Sequence, residues 1–223
     1  MYRKIGLWVV LVTMALLLAA CGGPSKEYVT GETLLNETFS EAGVWEEFVS
    51  GEVDLQVNDG VYRIQTGDGG YIWGLNEVEH SDVVIEVTTN QLSEHANNAY
   101  GVMCRADISN NGDGYYFLIS GDGFYSISKG EGDDVTPIVE WTANSAINEG
   151  QATNKIRAVC IGSYLAVWVN DKFLTEIEDI TYASGYAGLA AAAFESEEDG
   201  ITVSGDADIT FDDLTITAAS LSN

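Results

Sequence analysis

The sequence predicts an all-β domain, an antiparallel sandwich or barrel, on three observations. Apolar residues alternate with polar ones at a period of two along most of the chain, and turn-forming residues recur about every 8–12 positions. Beyond the first 20 residues, no window of about a dozen shows the 3.6-residue spacing of an amphipathic helix. Val53, Leu55 and Val57 alternate first, and Asn58-Asp59-Gly60 supplies a turn because Asp and Gly tolerate positive φ. Val83, Ile85 and Val87 follow, then Tyr100, Val102 and Cys104, then Tyr115, Phe117 and Ile119. Gly121-Asp122-Gly123 turns the chain into Phe124–Ser128. Ile156, Ala158 and Cys160 lead to the Gly162-Ser163 turn, and Leu165, Val167 and Val169 run back to Asn170-Asp171 and Phe173–Ile177. Ile209–Ile216 is the last strand, and the alternating apolar residues of each strand are expected to face the core.

Composition narrows the function classes. The 223 residues are 46% hydrophobic and 20% charged, which suits a folded domain, and 24 Gly with only 2 Pro exclude collagen-like and proline-rich chains. Nine Lys+Arg against 35 Asp+Glu give a net charge of −26, which repels phosphate backbones and argues against nucleic-acid binding.

Residues 1–20 read as a targeting segment. Arg3 and Lys4 precede an apolar run, Ile5–Leu18, that has the length of a signal-peptide core and is short for a membrane span. It ends in Leu18-Ala19-Ala20-Cys21, which resembles the bacterial lipobox; the resemblance implies that Cys21 becomes the lipidated first residue of an exported, membrane-anchored chain. Loss of Arg3 and Lys4 then leaves seven basic residues against 35 acidic ones, so the lipid must hold the protein at an anionic surface. Residues 21–33 are small and polar and read as a flexible tether, 34–218 as one domain, and 219–223 as a tail.

Several ordered phrases carry a family resemblance. They are Tyr100-Gly101-Val102-Met103-Cys104-Arg105, Gly114-Tyr115-Tyr116-Phe117, Gly121-Asp122-Gly123-Phe124-Tyr125, Asn154-Lys155-Ile156-Arg157, Val169-Asn170-Asp171, Gly185-Tyr186-Ala187-Gly188-Leu189 and Phe211-Asp212-Asp213-Leu214. The set resembles the concanavalin A-like jelly rolls of bacterial surface lipoproteins, related to laminin G-like and 3-keto-disaccharide hydrolase-like domains. The resemblance implies a jelly-roll β-sandwich of about 12–14 antiparallel strands. It also implies that Cys104 and Cys160 lie on neighbouring strands and form a disulfide, the alternative being two buried free thiols. A structural calcium is implied at Asp212, with main-chain oxygens near Glu37 and Gly60; no other cofactor is expected.

Catalytic signatures are sparse. Family 16 glycoside hydrolases place three carboxylates on one face of a strand, whereas Val83–Thr89 carries Glu86 alone. The run Glu195, Glu197, Glu198, Asp199 reads as solvated surface, His80 and His95 as loop residues, and Asp107–Gly114 as a hairpin turn resembling the start of an EF-hand loop. The scarce cations suggest a ligand groove instead. Alternation puts Arg105, Tyr116, Arg157, Tyr164 and Trp168 opposite the core side, so they share one face if their strands share one sheet. Aromatic planes stack on sugar C–H surfaces and arginines donate to hydroxyls or carboxylates. Trp73 and Trp141 either rim that groove or cap the sandwich. The leading expectation is a non-catalytic, cell-surface binding module for carbohydrate on the concave face of the jelly roll. The alternatives are an enzyme acting on modified disaccharides, for which Glu86 and Asp107 beside Arg105 are the acidic pair to look for, and a structural or adhesive envelope lipoprotein.

Overall fold

The computed structural model describes residues 22–222 except 42, 44, 52, 68, 69, 133, 199, 200 and 204. The leader, the lipobox Cys21, Asp199 and Asn223 therefore lie outside the described residues. In chain order the strands are β1 (Tyr28–Glu37), β2 (Phe48–Ser50), β3 (Val53–Asn58), β4 (Val61–Thr66), β5 (Tyr71–His80) and β6 (Val83–Gln91). Next come β7 (Asn98–Ala106), β8 (Gly114–Ile119), β9 (Phe124–Glu131), β10 (Asp134–Ala143), β11 (Thr153–Ile161) and β12 (Tyr164–Val169). The last are β13 (Lys172–Glu178), β14 (Gly185–Ala193), β15 (Ser196–Glu198), β16 (Ile201–Val203) and β17 (Ala207–Leu221). Among the described residues there is no helix, and the strands number 17 rather than 12–14; three of them, β2, β15 and β16, are three residues long.

Two antiparallel sheets stack as a jelly-roll sandwich. The nine-stranded sheet runs β13-β12-β11-β6-β17-β4-β3-β2, with β1 also paired to β17, and the six-stranded sheet runs β10-β9-β8-β7-β14-β5. The apolar residues that alternation assigns to the core meet between the sheets: Leu55, Ile85, Val102, Phe117, Ile156 and Val167 are all buried there. Removing a side chain of this size from water contributes about 1.5–3 kcal/mol, so the period-two pattern both selects strands and drives the sheets together. Cys104 of β7 and Cys160 of β11 are joined by a disulfide within this core, so the bond crosses from one sheet to the other.

The boundaries differ from the sequence reading at both ends. Residues 28–33, assigned to the tether on composition, are the first part of β1, whose register sets Tyr28 opposite Leu221 and Glu37 opposite Leu214. Main-chain pairing needs no apolar side chain, so a polar segment adding to β17 leaves little trace in composition. For the same reason β17 runs on through most of the expected tail to Leu221.

Candidate functional site

The two sheets each have an outer face, and the expected groove residues divide between them. β7 and β8 belong to the six-stranded sheet, β11 and β12 to the nine-stranded one. Tyr116, Trp73 and Trp141 are on the outer side of the first; Tyr164 and Trp168 are on the outer side of the second. The face expected to unite Arg105, Tyr116, Arg157, Tyr164 and Trp168 is thus not assembled, because alternation reports which side of its own sheet a residue takes and not which sheet its strand joins.

On the outer face of the nine-stranded sheet the charged groups of β6 and β11 are paired within the chain. Arg157 pairs with Glu86 (2.7 Å) and Asp171 (3.3 Å), and Lys155 pairs with Glu86 (3.3 Å). Burial acts to raise the Glu86 carboxyl, but hydrogen bonds and charge from Arg157 and Lys155 outweigh it and hold the group below its usual range. Trp168 is buried against Tyr28 and Phe173, and the Tyr164 hydroxyl donates to Glu176 (2.8 Å).

Arg105 belongs to neither face. A bulge between β14 and β7 interrupts the register from Tyr186 to Gly188, and Arg105 takes a φ of 54°. Its guanidinium, 2% exposed, donates to the carbonyls of Ser81 (3.1 Å), Gly162 (2.7 Å) and Tyr182 (2.9 Å) and to Asp82 (3.2 Å). A bulge re-aims a side chain, which is why strict alternation misplaces this one. Glu86 and Asp107 are not a pair beside it: Glu86 is engaged by Arg157, and Asp107 accepts from Ser109 in the β7–β8 turn.

The outer face of the six-stranded sheet is built differently. Its floor is Ala99, Met103, Tyr116, Leu118, Ala190 and Ala192, all buried, with half-buried Tyr71, Trp73, Trp141 and Phe194 packed on them. Small floor residues beneath large aromatic ones leave hollows, and two are present. One of about 380 Å³ is lined by Phe124, Trp141 and Phe194 together with Asn97, Asn98, Ser120 and Asp122. The other, about 310 Å³, is lined by Tyr71, Trp73, Val135 and the backbone around Asn111-Gly112. They adjoin along the floor, for the Phe194 and Tyr71 rings are 5.8 Å apart edge-on, and Tyr71 in turn meets Tyr116 at 5.8 Å.

Both hollows are braced by hydrogen bonds. Asn98 Oδ1 accepts the Gly121 N–H (2.9 Å), its amide donates to the His95 carbonyl (2.8 Å), and the Ser120 hydroxyl donates to Asp122. His95 Nε2 faces two carbonyls, Asn97 and Phe194, so this nitrogen carries the proton. Trp73 Nε1 donates to Asn110, whose amide donates to Glu46. Gly112, at φ 87°, lies under the Trp73 ring, where a Cβ would stand 2.9 Å from the indole. Burial pushes the Tyr71 phenol up to about 12 and that of Tyr116 upward as well, so both are neutral; Tyr116 donates to the Gly112 carbonyl (2.7 Å).

Of this site the sequence flagged Trp73, Trp141 and Tyr116. It missed Phe124, Phe194, Tyr71, Asn97, Asn98 and Asp122. Phe194 ends the run Ala190–Ala193, and a row of small residues closed by an aromatic was the available signal for a hollow.

Asp212 stands on β17 at a second irregularity. Register sets Tyr62 opposite Phe211 and Glu37 opposite Leu214, so Asp212 lies in the gap between β4 and β1, next to the Gly60 turn. Among the described residues no three His, Cys, Asp or Glu side chains come together. The Asp212 Oδ1 accepts the Asp213 N–H (2.7 Å), and a calcium ion there would take its other oxygens from the main chain.

Comparison with known proteins bears on the fold. No family model matches the chain, and no curated protein does. Solved structures do. The chain is similar to the carbohydrate-binding module CBM66 from Bacillus subtilis, with TM-score 0.60 and 17% identity over 79% of this chain and 97% of that one. It is similar to a Bacillus subtilis protein of unknown function with a galectin-like fold (TM-score 0.61, 10% identity, 86% and 99%) and to a Bacillus licheniformis β-glucanase (0.59, 8%, 85% and 99%). At these identities the likeness is one of fold, the concanavalin-like jelly roll.

Proposed function

We propose that this chain is an exported, lipid-anchored, non-catalytic module that binds an uncharged glycan on the outer face of its six-stranded sheet. The observation that carries this reading is the pair of adjoining hollows, walled by Phe124, Trp141, Phe194, Tyr71 and Trp73 and edged by Asn97, Ser120 and Asp122. Flat rings suit the C–H faces of sugar rings, and the amide, hydroxyl and carboxylate groups suit their hydroxyls. Among the described residues no Lys or Arg lines either hollow, so a sulfated, uronic or sialylated chain would meet Asp122 without a counter-charge. That a carbohydrate-binding module shares the fold supports the assignment.

The β-glucanase likeness raises hydrolysis as the competing reading. Cleavage by a carboxyl pair needs two groups roughly 5–10 Å apart across the bond. Among the described residues lining the two hollows Asp122, held by Ser120, is the one carboxylate, so binding is preferred. Anchoring rests on Cys21 and the run before it. A calcium ion held by Asp212 with carbonyls near Glu37 and Gly60 belongs to the same proposal and would brace β17 between β1 and β4; a rise in Tm on adding calcium, reversed by chelator, is expected, and no shift counts against it.

A panel of neutral and anionic polysaccharides immobilised side by side tests the ligand class. Retention by at least one neutral glycan, with none by the anionic ones, is expected. Retention confined to anionic chains, or none at all, would overturn it.

A further inference from the structure

The chain just after Cys21 is docked rather than free. The Ser25 N–H donates to the Glu176 carboxylate at 2.9 and 3.1 Å, and the Lys26 ammonium pairs with Glu178 while standing 5.4 Å from the centre of the Tyr164 ring. Tyr28 packs edge-on against Trp168 with centroids 6.0 Å apart. The Glu27 carbonyl accepts the Ser222 N–H at 2.9 Å, and from Tyr28 onward the chain is β1. Tyr28, Tyr164 and Trp168 form one cluster on the outer side of the nine-stranded sheet, the side opposite the two hollows.

We infer that this docked segment orients the domain on the bilayer, with the outer face of the nine-stranded sheet toward the lipid and the aromatic hollows facing away. The inference rests on the proposed lipidation of Cys21. A leash covering residues 21–33 would be a flexible coil spanning about 20 Å and would let the domain tumble. With Ser25 held at Glu176, only residues 21–24 remain, and four residues reach about 14 Å at full extension. The two sheets alone are about 10 Å apart, with a side-chain layer outside each, so this leash cannot pass around the sandwich to bring the other face to the membrane. On this face Lys26, Lys155 and Arg157 pair with Glu178, Glu86 and Asp171, and that local neutralisation lessens the repulsion that so acidic a chain meets at anionic headgroups. An outward cleft is also the useful arrangement for a module that captures a polymer from outside.

The test uses the full-length lipidated protein in phosphatidylcholine–phosphatidylglycerol vesicles carrying an acceptor dye on the lipid headgroup. A donor dye is placed either on Ser222→Cys, beside the docked Glu27, or on Glu195→Cys, next to Phe194 at the hollows. Energy transfer several-fold stronger from position 222 than from 195 is expected, and the double variant Glu176→Ala/Glu178→Ala, which removes the acceptors of Ser25 and Lys26 and lengthens the leash, should bring the two signals closer together. Equal transfer, stronger transfer from 195, or no change in the double variant overturns the orientation while leaving the anchor intact. Mass measurement of the amino-terminal peptide reads the anchor separately: an unmodified Cys21, with the protein free of vesicles, overturns the lipidation reading and this inference with it.

Discussion

Arg105 ties four chain segments together from one end of the sandwich: β7, the Ser81-Asp82 turn, the Gly162 turn and the loop at Tyr182. Three of its bonds satisfy carbonyls, and an orphaned buried acceptor costs about 1–3 kcal/mol. Arg105→Met is therefore expected to lower stability by about 2–4 kcal/mol in urea unfolding while leaving glycan affinity unchanged, since the guanidinium lines neither hollow of the six-stranded sheet. Glu86 gives a pH-dependent counterpart. Its carboxyl is held below 4.5 in the folded chain, so the unfolded chain binds a proton more readily and folding is favoured above the unfolded value. That contribution is present at neutral pH and is lost as the pH falls below 4.5 through the lower folded value. Glu86→Gln should be less stable than the parent at pH 7, and the gap should narrow as the pH falls below 4.5; a gap that widens on acidification contradicts the pairing with Arg157 and Lys155.

At the scale of elements, β3, β6–β9, β11–β13 and β17 and their inward residues were readable in advance because each depends on local alternation alone, whereas β1, β2, β4, β5, β10 and β14–β16 were not named. Val83, Ile85 and Val87, or Leu165, Val167 and Val169, are buried as the pattern requires. What local pattern does not carry is pairing. β11 lies between β6 and β12, and β7 between β8 and β14, partners that are distant in sequence for at least one neighbour each. The groove expected across β7, β8, β11 and β12 failed on this point, and the docked β1 went unread because main-chain hydrogen bonds hold it. The disulfide joins the two sheets at β7 and β11 across a sequence separation of 56. Closing a loop of that length restricts the unfolded chain by about 4 kcal/mol. Cys104→Ala/Cys160→Ala should therefore unfold at markedly lower denaturant concentration, and the parent should behave likewise once reduced; an unchanged midpoint would mean that the bond adds nothing to the packing around it.

The whole molecule has two unlike outer faces. One is sealed by its own amino-terminal segment, with Trp168 under Tyr28 and Arg157 bound to Glu86. The other keeps two aromatic hollows floored by alanines and open to a ligand. Of the seven residues expected to line a groove, Trp73, Trp141 and Tyr116 lie on the open face and Arg105 on neither. The other three, Arg157, Tyr164 and Trp168, lie on the sealed one. Comparing one variant from each face tests this division most directly. Calorimetric titration of the parent, Trp141→Ala and Arg157→Gln with a neutral glycan retained by the parent should give at least ~10-fold weaker binding for Trp141→Ala, the loss of about 1.4 kcal/mol that one stacking ring supplies. Arg157→Gln should bind as the parent does. Weakened binding in Arg157→Gln with Trp141→Ala unaffected would place the ligand on the other sheet and contradict the account.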